Sequence, residues 1–490
     1  MTSKPVTYLA FDLGASSVRT VLGTLEGDHL RLEDIHRFQT PIIEMGKRLY
    51  WDLDALWRGL NVGLKHAFKA MPELRSLAVD SWGVDYIPLG HDGRPVRNAY
   101  CYRDPRILGM MNKVHKRVPA RDIYAITGIQ FMEFNTLYQV CADLEQEPEL
   151  FERTSKRLMI ADYFNHRFGG SAVAEVSMAS TTQLMDARKN AWSVELMDRL
   201  GISAATWPKI VPSGTRLGKV SLSGTELEIV ASCSHDTSCA VAAVPAENDS
   251  RWAYVSSGTW SCMGAELLKP LITEAARLAG FTNEAGLDGT IRFLKNITGL
   301  WVLQECKREW KAAGEHLDYD TLLKEAAAAP PSGIYIDLSD QRFILRGNMQ
   351  QKLQGYCQEQ DLPVPRSRGE IVRVILESLA EAYRRTLRDL ESVIDKRIEV
   401  LHIVGGGSLN GLLCQLTADA CGCRVVAGPA EATALGNLLV QARTMKDLPG
   451  DVSIRDVVRR SCELKVYEPH LSQPIARASG PGAVKPSHPE

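Results

Sequence analysis

Two short glycine-containing segments, one in each half of the chain, constrain the fold most. The first, Asp12-Leu13-Gly14-Ala15-Ser16-Ser17, separates the β-rich runs Val6 to Phe11 and Val18 to Leu25. The second, Ser256-Ser257-Gly258-Thr259, also lies between two β-rich runs. In each segment a glycine permits a sharp strand-to-strand turn, where main-chain N–H groups and hydroxyls can face an anion. The repeat predicts two related domains that grip a polyphosphate. Two ordinary polar hairpins are the alternative, because turns favour the same residue types.

The rest of the chain alternates strands with helices. Apolar residues recur at helical spacing from Leu53 to Phe68 and from Ile371 to about Leu390. A strand is expected from Val84 to Leu89, and a buried one from Val400 to Val404, which ends at Gly405-Gly406-Gly407. This alternation predicts an α/β fold.

The polar, proline-containing segment Pro245 to Ser250 separates the two halves. We therefore expect an N-terminal domain at 1–244, a C-terminal domain at 251–468 and a hinge between them. Residues 469–490 are rich in Pro, Ser, Gly and Ala, and predict a flexible tail.

Charge and hydropathy exclude several classes of function. Lysine and arginine total 57 against 59 acidic residues, so nothing favours a nucleic-acid partner. No apolar run reaches the roughly 18 residues that a membrane span needs. The first apolar stretch stops at Asp12, unlike a signal peptide. We expect a cytoplasmic protein, a monomer or weak homo-oligomer.

The 11 cysteines predict neither a secreted disulfide framework nor a metal–thiolate site. Their number is odd, and most lie among apolar neighbours. Cys421 and Cys423 resemble a metal-binding pair, but no second pair follows at zinc-site spacing. They are interpreted as small core residues.

Two further features of the sequence could contribute to binding a nucleotide. Asp12 ends a strand beside the first glycine turn, where it can hold Mg²⁺ through water. The triple glycine is not a dinucleotide fingerprint, because the next glycine is Gly411, and no Walker-type phosphate loop is present. Bare backbone at Gly405-Gly406-Gly407 can still accept a flat adenine or ribose. A tight strand-to-helix turn without a ligand is the alternative.

Three segments of the sequence predict a site that binds a sugar. Ser234-His235-Asp236-Thr237 cannot be a catalytic triad, since adjacent residues cannot form the required hydrogen-bond chain. Asp236 suits a general base beside a substrate hydroxyl. The segments 80–85 and 295–301 each place polar groups around a tryptophan, a mixture that binds sugars. For each of these two, a core tryptophan beside a surface turn is the alternative.

Together and in this order, the segments resemble the FGGY family of carbohydrate kinases, within the actin-like ATPase superfamily. The resemblance runs from about Val6 to Glu468. The matching stretches are DLGASS at Asp12, DSWGVDY at Asp80, YRDPR at Tyr102, GIQFMEFNTLYQ at Gly128, STTQLMD at Ser180, ASCSHDT at Ala231, SSGTWS at Ser256, KNITGLW at Lys295 and HIVGGG at His402.

The resemblance implies two ribonuclease-H-like domains around a central cleft, with ATP on one side and a ketose on the other. It implies Mg²⁺-dependent transfer of the ATP γ-phosphoryl group to the 1-hydroxyl of L-rhamnulose. Asp12 is the expected Mg²⁺ residue and Asp236 the proton acceptor. The residues expected at ATP are Ala15, Ser16, Ser17, Val18, Arg19, Thr259, Gln304 and Gly406, and those at the ketose are Gly83, His235, Asp236, Thr237 and Asn296.

One position departs from the family pattern. Val18 stands where the family commonly has glycine after the two serines. Two other functions remain open: a sister kinase for another ketose, such as L-fuculose or L-xylulose, and a nucleotide-switched binding protein of the actin-like superfamily. The binding protein would need no base positioned for a sugar. If the chain consumes ATP only when a sugar is added, it is a kinase and not the binding protein.

Overall fold

The computed structural model describes residues 4–222, 224–247, 251–343 and 346–470. The first half of the chain contains strands β1 (Val6–Leu13), β2 (Ser17–Glu26), β3 (His29–Gln39), β4 (Ile42–Met45), β5 (Arg48–Trp51), β6 (Leu74–Ser81), β7 (Tyr86–Leu89), β8 (Lys156–Met159), β9 (Ala174–Glu175), β10 (Met185–Asp186), β11 (Ala191–Trp192), β12 (Ile210–Val211), β13 (Thr215–Leu222) and β14 (Thr225–Ala231). Its helices are α1 (Leu53–Ala70), α2 (Met110–Arg117), α3 (Ala120–Thr127), α4 (Thr136–Gln146), α5 (Pro148–Arg153), α6 (Ile160–Arg167), α7 (Val176–Thr181), α8 (Val194–Leu200) and α9 (Asp236–Ala242).

The second half is built from fewer, longer elements. Its strands are β15 (Trp252–Ser257), β16 (Trp260–Leu267), β17 (Thr282–Ala285), β18 (Ile291–Thr298), β19 (Val400–Val404), β20 (Arg424–Ala427) and β21 (Lys465–Tyr467). Its helices are α10 (Glu274–Leu278), α11 (Trp301–Ala312), α12 (Tyr319–Ala328), α13 (Met349–Glu359), α14 (Arg368–Ile394), α15 (Gly411–Cys421), α16 (Ala432–Thr444) and α17 (Ile454–Ser461).

Each half has one large mixed sheet, and the two sheets share a plan. The N-terminal sheet has the order β13-β14-β6-β1-β2-β3, and the C-terminal sheet β17-β18-β16-β15-β19-β20-β21. In the first, β1, β2 and β3 form an antiparallel meander, with β6 and β14 added in parallel. In the second, β15, β16 and β18 repeat the meander, with β19 and β20 in parallel. The predicted fold class, two α/β domains around a central cleft, is confirmed.

Local sequence explains where the main helices begin. The side chain of Asp52 caps α1 by accepting from the Ala55 N–H at 2.8 Å. Ser367 and Glu370 form a capping box at the start of α14, which is therefore longer than the helix predicted from Ile371 to Leu390. The strand predicted from Val84 begins instead at Tyr86, because Val84 adopts a left-handed backbone conformation with φ of 67°.

A hydrophobic cluster between the two sheets joins the halves. It contains Tyr8 of β1, Cys239 of α9, Tyr254 of β15 and Leu435 of α16, all at most 1% exposed. The helices α9 and α16 cross so closely that a Cβ on Gly436 would lie 1.9 Å from the Cys239 carbonyl oxygen. Only glycine permits this approach. Larger separate cores lie within each half.

Several expectations concern segments or features away from the sheets. Of the predicted hinge, residues 248–250 lie outside the described residues, as does the predicted tail from residue 471 onward. All 11 cysteines are free thiols, and Cys421 and Cys423 are buried. Within the described ranges no three His, Cys, Asp or Glu side chains group as metal ligands. None of the helices described is long and apolar enough to cross a membrane.

Candidate active site

A cleft with a volume of about 440 Å³ opens between the two halves and brings most of the predicted residues together. Three predicted residues are absent from its lining: Asp12, Val18 and Gln304. The predicted residues that line it are Ala15, Ser16, Ser17, Arg19, Gly83, His235, Asp236, Thr237, Thr259, Asn296 and Gly406.

The first glycine turn is braced by its own backbone. The Gly14 N–H donates to the Ser17 carbonyl at 3.0 Å, and the Thr40 hydroxyl donates to the Gly14 carbonyl at 2.6 Å. Ser16 is exposed at the tip of the turn. The Val18 side chain is fully buried in the N-terminal core, opposite Leu13 in the ladder. Valine in place of glycine therefore adds core packing and leaves only the Val18 main chain for the cleft.

Arg19 connects acidic side chains of both halves across the cleft. Its Nε donates to Asp12 Oδ2 at 3.2 Å, and its Nη2 donates to the same oxygen. Its Nη1 donates to Glu431, which immediately precedes α16. The Asp12 carboxylate is thus already paired with a cation.

Three aspartates converge behind the first turn. Asp12 and Asp80 are direct neighbours in the parallel register of β1 and β6, and Asp236 begins α9. Asp80 Oδ2 accepts from Asn437 Nδ2 at 2.6 Å, whereas Oδ1 is buried without a partner among the described residues. Burial and the Asp12 charge raise the pKa of Asp80 well above its usual value. Burial also raises the pKa of Asp236; His235 opposes the rise and Asp12 adds to it. Asp80 and Asp236 therefore bind a proton more readily than an exposed aspartate does.

The second glycine turn lies opposite the first. The Thr259 hydroxyl donates to Gln304 Oε1 at 3.0 Å, so Gln304 lies behind the predicted phosphate-facing hydroxyl. The triple glycine packs against this turn: a Cβ on Gly407 would lie 2.0 Å from Ser257 Oγ. A glycine is required there because β15 and the loop after β19 lie in contact.

Asp85, the last residue of the predicted sugar-binding segment 80–85, holds the aromatic side of the cleft in place. Its Oδ2 accepts from the indole nitrogens of Trp51 at 2.6 Å and Trp82 at 3.0 Å. Its Oδ1 accepts from Gln139 Nε2 at 2.8 Å. Burial raises the pKa of Asp85 to about 6, against the opposing effect of these hydrogen bonds. Trp82, one of the two indoles so held, forms part of the cleft wall.

In Asp236, the candidate general base, only one of the two carboxylate oxygens accepts hydrogen bonds from the described residues. Asp236 Oδ1 accepts from the Thr237 N–H at 2.5 Å and from the Thr237 hydroxyl at 3.1 Å. Among the described residues no hydrogen bond to Oδ2 is found. Because the Asp236 side chain is 28% exposed, this second oxygen can receive a proton from a ligand in the cleft.

Three polar residues at the cleft carry no sequence prediction. Gln130 Oε1 accepts from the Asn296 backbone N–H at 3.2 Å and from Asn296 Nδ2 at 3.1 Å. Glu284 and Arg292 contact the His235 ring. Gln130 belongs to a matching family stretch, which could have identified it. Glu284 and Arg292 lie outside every matching stretch, although Arg292 is in the strand where KNITGLW begins.

The cleft and its residues match a known class of enzymes. The family model for the N-terminal domain of FGGY carbohydrate kinases matches residues 7–243, and that for the C-terminal domain matches residues 253–445. The chain therefore belongs to the FGGY family of carbohydrate kinases.

Curated relatives narrow the class further. The chain is 40% identical over 468 residues to a rhamnulokinase of Bacteroides thetaiotaomicron, covering 94% of this chain and 96% of the relative. It is 41% identical over 474 residues to a rhamnulokinase of Pectobacterium carotovorum, covering 96% and 94%. A rhamnulokinase of Bacillus subtilis is 38% identical over 470 residues, covering 94% and 95%.

Solved structures share the fold at much lower identity. Plasmodium falciparum glycerol kinase with ADP superposes with a TM-score of 0.76 at 16% identity, covering 94% of each chain. A ligand-bound xylulose kinase from Lactobacillus acidophilus gives a TM-score of 0.75 at 16% identity, covering 95% of this chain and 94% of that one. The two-domain sugar-kinase architecture is common to all three.

Proposed function

We propose that this chain transfers the γ-phosphoryl group of ATP to the 1-hydroxyl of L-rhamnulose, as a step of L-rhamnose catabolism. One observation supports the proposal: Asp236, with one carboxylate oxygen that accepts no hydrogen bond among the described residues, lines the same cleft as both glycine turns and the residues predicted to bind the ketose. Relatives named rhamnulokinase, matched over nearly the whole chain, support the choice of ketose.

The residues divide into a nucleotide side and a ketose side. The main chain of residues 15–19 and the Thr259 hydroxyl face the phosphates, and Gly406 lies beside the nucleoside. Without nucleotide the Thr259 hydroxyl donates its one hydrogen to Gln304 Oε1, and it would turn from Gln304 to donate to a phosphate oxygen. Gly83, His235, Thr237 and Asn296 line the ketose side. Phosphoryl transfer depends mainly on such positioning and on charge compensation, since the protein has little covalent chemistry to do.

Asp236 acts as the general base. The oxygen of the ketose 1-hydroxyl forms a bond to the γ-phosphorus while the bond from phosphorus to the β,γ-bridging oxygen breaks. The hydroxyl proton passes to Asp236 Oδ2, and Thr237 keeps the carboxylate oriented through Oδ1. The raised pKa of Asp236, caused by burial, makes it a better proton acceptor than an exposed aspartate.

The donor set fits Mg²⁺. Asp12 offers carboxylate oxygen beside the first turn and already neutralises a cation, Arg19. Such an ion would be held by the Asp12 carboxylate, water and phosphate oxygens. When bound, Mg²⁺ would neutralise charge on the phosphate oxygens. The role of Arg19 is to neutralise the negative charge of Asp12 and to connect Asp12 to Glu431.

The remaining parts of the proposal concern the domain boundaries, the localisation and the oligomeric state. We assign 1–244 to the domain that carries the first turn and much of the ketose side, and 251–468 to the nucleotide side. We expect a cytoplasmic enzyme that is a monomer or weak homo-oligomer, which sedimentation velocity of the full chain will test.

An assay of ADP release across a panel of ketoses tests the function. We expect the highest kcat/KM for L-rhamnulose, with L-fuculose and L-xylulose as secondary substrates. A higher value for glycerol or D-xylulose would overturn the choice of ketose while leaving the kinase class intact. ADP release that is independent of added sugar would instead favour the nucleotide-switched binding protein.

A further inference from the structure

The cleft histidine is held by side chains from both halves of the molecule. Its backbone belongs to the N-terminal half, where the His235 N–H donates to Ser177 Oγ at 3.1 Å. Its ring contacts Arg292 of β18 and Glu284 of β17, which belong to the C-terminal sheet. Glu284 and Arg292 are opposite each other in the antiparallel register, so their side chains share one face.

The buried guanidinium of Arg292 has fixed partners. Its side chain is fully buried, and its Nε donates to the Ala285 carbonyl at 3.0 Å. Its Nη2 lies 3.0 Å from Glu284 Oε2 and 3.1 Å from His235 Nδ1. Arginine is always charged and only donates, so in the Nη2–Nδ1 hydrogen bond Nδ1 is the acceptor. Glu284 Oε2 faces Nη2 as an ion pair without a hydrogen bond, and Nη1 has no hydrogen-bond partner among the described residues.

We propose that Arg292 is a positioning residue that holds His235 as a neutral imidazole with its proton on Nε2, so that the ring presents a hydrogen-bond donor to a ketose oxygen. A ring nitrogen that accepts from Arg292 carries no hydrogen, and a neutral imidazole has only one other nitrogen to carry it. His235 lines the cleft, and its Nε2 lies 3.5 Å from Asp236 Oδ1.

The opposite tautomer conflicts with the same geometry. A hydrogen on Nδ1 could be donated to Glu284 Oε2, which is 3.4 Å away. It would then face Nη2 of Arg292 at 3.1 Å, and both groups would be donors. Although burial alone would raise the pKa of Glu284, the charge of Arg292 holds it below its usual value, so Glu284 stays ionised as the counterion of Arg292. The charged groups in contact with the ring are Asp236, Glu284 and Arg292.

The first test needs no change at Arg292. The full-length protein is labelled with ¹⁵N at histidine only, and the His235 signals are assigned by their loss in His235→Gln. We expect a protonated-type shift for Nε2 and an unprotonated-type shift for Nδ1 at neutral pH. A proton on Nδ1, or an imidazolium with both nitrogens protonated, overturns the proposal.

The second test separates positioning from general structural support. In Arg292→Gln the fixed charge is lost, so Nδ1–H can donate to Glu284; we expect the Nε2–H pattern to disappear. The KM for the ketose should rise about tenfold or more, as expected for loss of an oriented donor, while the KM for ATP stays within about twofold. Arg216→Gln is the matched control, since Arg216 of β13 donates to Glu228 of β14 at 2.6 Å in the other large sheet and should change neither readout. An unchanged His235 pattern in a folded Arg292→Gln protein overturns the proposal.

A third variant tests the proposed tautomer of His235 even if Arg292→Gln does not fold. Glu284→Gln removes the carboxylate charge beside Nδ1 but keeps the Arg292 donor, so the proposal requires the Nε2–H pattern to persist. A shift of the proton to Nδ1 in this variant would show that Glu284 sets the tautomer, and would overturn the proposal. The kinetic readout rests on the proposed kinase function, whereas the NMR pattern does not. Absence of phosphorylation with every ketose therefore counts against the function alone.

Discussion

Replacing Asp236 by asparagine should slow phosphoryl transfer and stabilise the folded protein at the same time. Asparagine can keep the Oδ1 acceptor that binds the Thr237 N–H and hydroxyl, at 2.5 and 3.1 Å in the parent. It replaces Oδ2, the proton-accepting oxygen, by an amide that cannot take a proton. General-base contributions are typically about 10²- to 10⁴-fold, so kcat should fall at least ~10²-fold, a barrier increase of about 2.7 kcal/mol.

The effect on stability has the opposite sign. Burial raises the pKa of Asp236; His235 opposes the rise, and Asp12 adds to it. A carboxyl whose pKa is higher in the folded state gives a stability contribution that is present below its unfolded pKa and lost as pH rises through its folded pKa. The charged side chain therefore destabilises the parent at neutral pH. Asp236→Asn should melt at a higher temperature than the parent at pH 7 to 8, and the difference should shrink as pH falls toward 4.

Steady-state kinetics, thermal melting and calorimetric titration with the ketose, all on one preparation, test the kinetic prediction and the stability prediction together. Asp34→Asn is the control, because Asp34 lies on the surface and pairs only with Arg37 among the described residues. Ketose binding should survive in Asp236→Asn, since the amide fills the same space. A folded, ketose-binding variant with kcat within about tenfold of the parent, a barrier change of only ~1.4 kcal/mol, would remove Asp236 as the base. A lower melting temperature at pH 7 would show that its role is structural.

Three further outcomes are expected. Thr259→Val should raise the KM for ATP ~10-fold or more with little change in the ketose KM, because a hydrogen bond to a charged phosphate is worth about 1.5–3 kcal/mol; steady-state kinetics showing the reverse pattern would exclude a phosphate contact. Gly436→Ala should lower the free energy of unfolding by about 1–3 kcal/mol in urea titrations, since its Cβ would lie 1.9 Å from the Cys239 carbonyl oxygen; an unchanged midpoint at unchanged slope would contradict the close helix crossing. Ketose with a non-hydrolysable ATP analogue should reduce the radius of gyration in small-angle scattering, as in other hinge-closing kinases; equal radii in the free and doubly liganded states would argue against closure.

The architecture was predictable because its signals are local. Each meander is set by alternating β-rich runs and a glycine turn, and each long helix by a 3.6-residue apolar period. Local backbone strain was not predictable in the same way. The run from Val84 to Leu89 has strong β propensity, yet Val84 takes a positive φ, which nothing in that run indicates. Its carbonyl accepts from the Thr136 hydroxyl at 2.6 Å, a contact 52 residues away in sequence. Tertiary contacts thus override propensity at this residue.

The candidate site was predictable only where chemistry is concentrated in a short segment. Asp12 lies at a strand end, Thr259 in a turn and Asp236 at the start of a helix, and such positions stand out. Arg292 could not be recognised in this way, because a single arginine in a β-strand indicates an exposed position on average. It is fully buried, and its role depends on Glu284, its partner across the strand pair, and on His235, 57 residues away. Pairings between distant segments carry no periodic signal.

These distant pairings have a common geometry that bears on how catalysis is controlled. In each of three contacts at the cleft, one side chain comes from the N-terminal half and the other from the C-terminal half. The pairs are Arg19 with Glu431, His235 with Arg292, and Gln130 with Asn296. Separation of the halves would break all three contacts together, which would release Asp12 from its link to the nucleotide side and free the His235 ring. We therefore expect the complete site to form only when the halves are closed, so that ATP bound in an open cleft would lack an oriented acceptor and would be protected from wasteful hydrolysis.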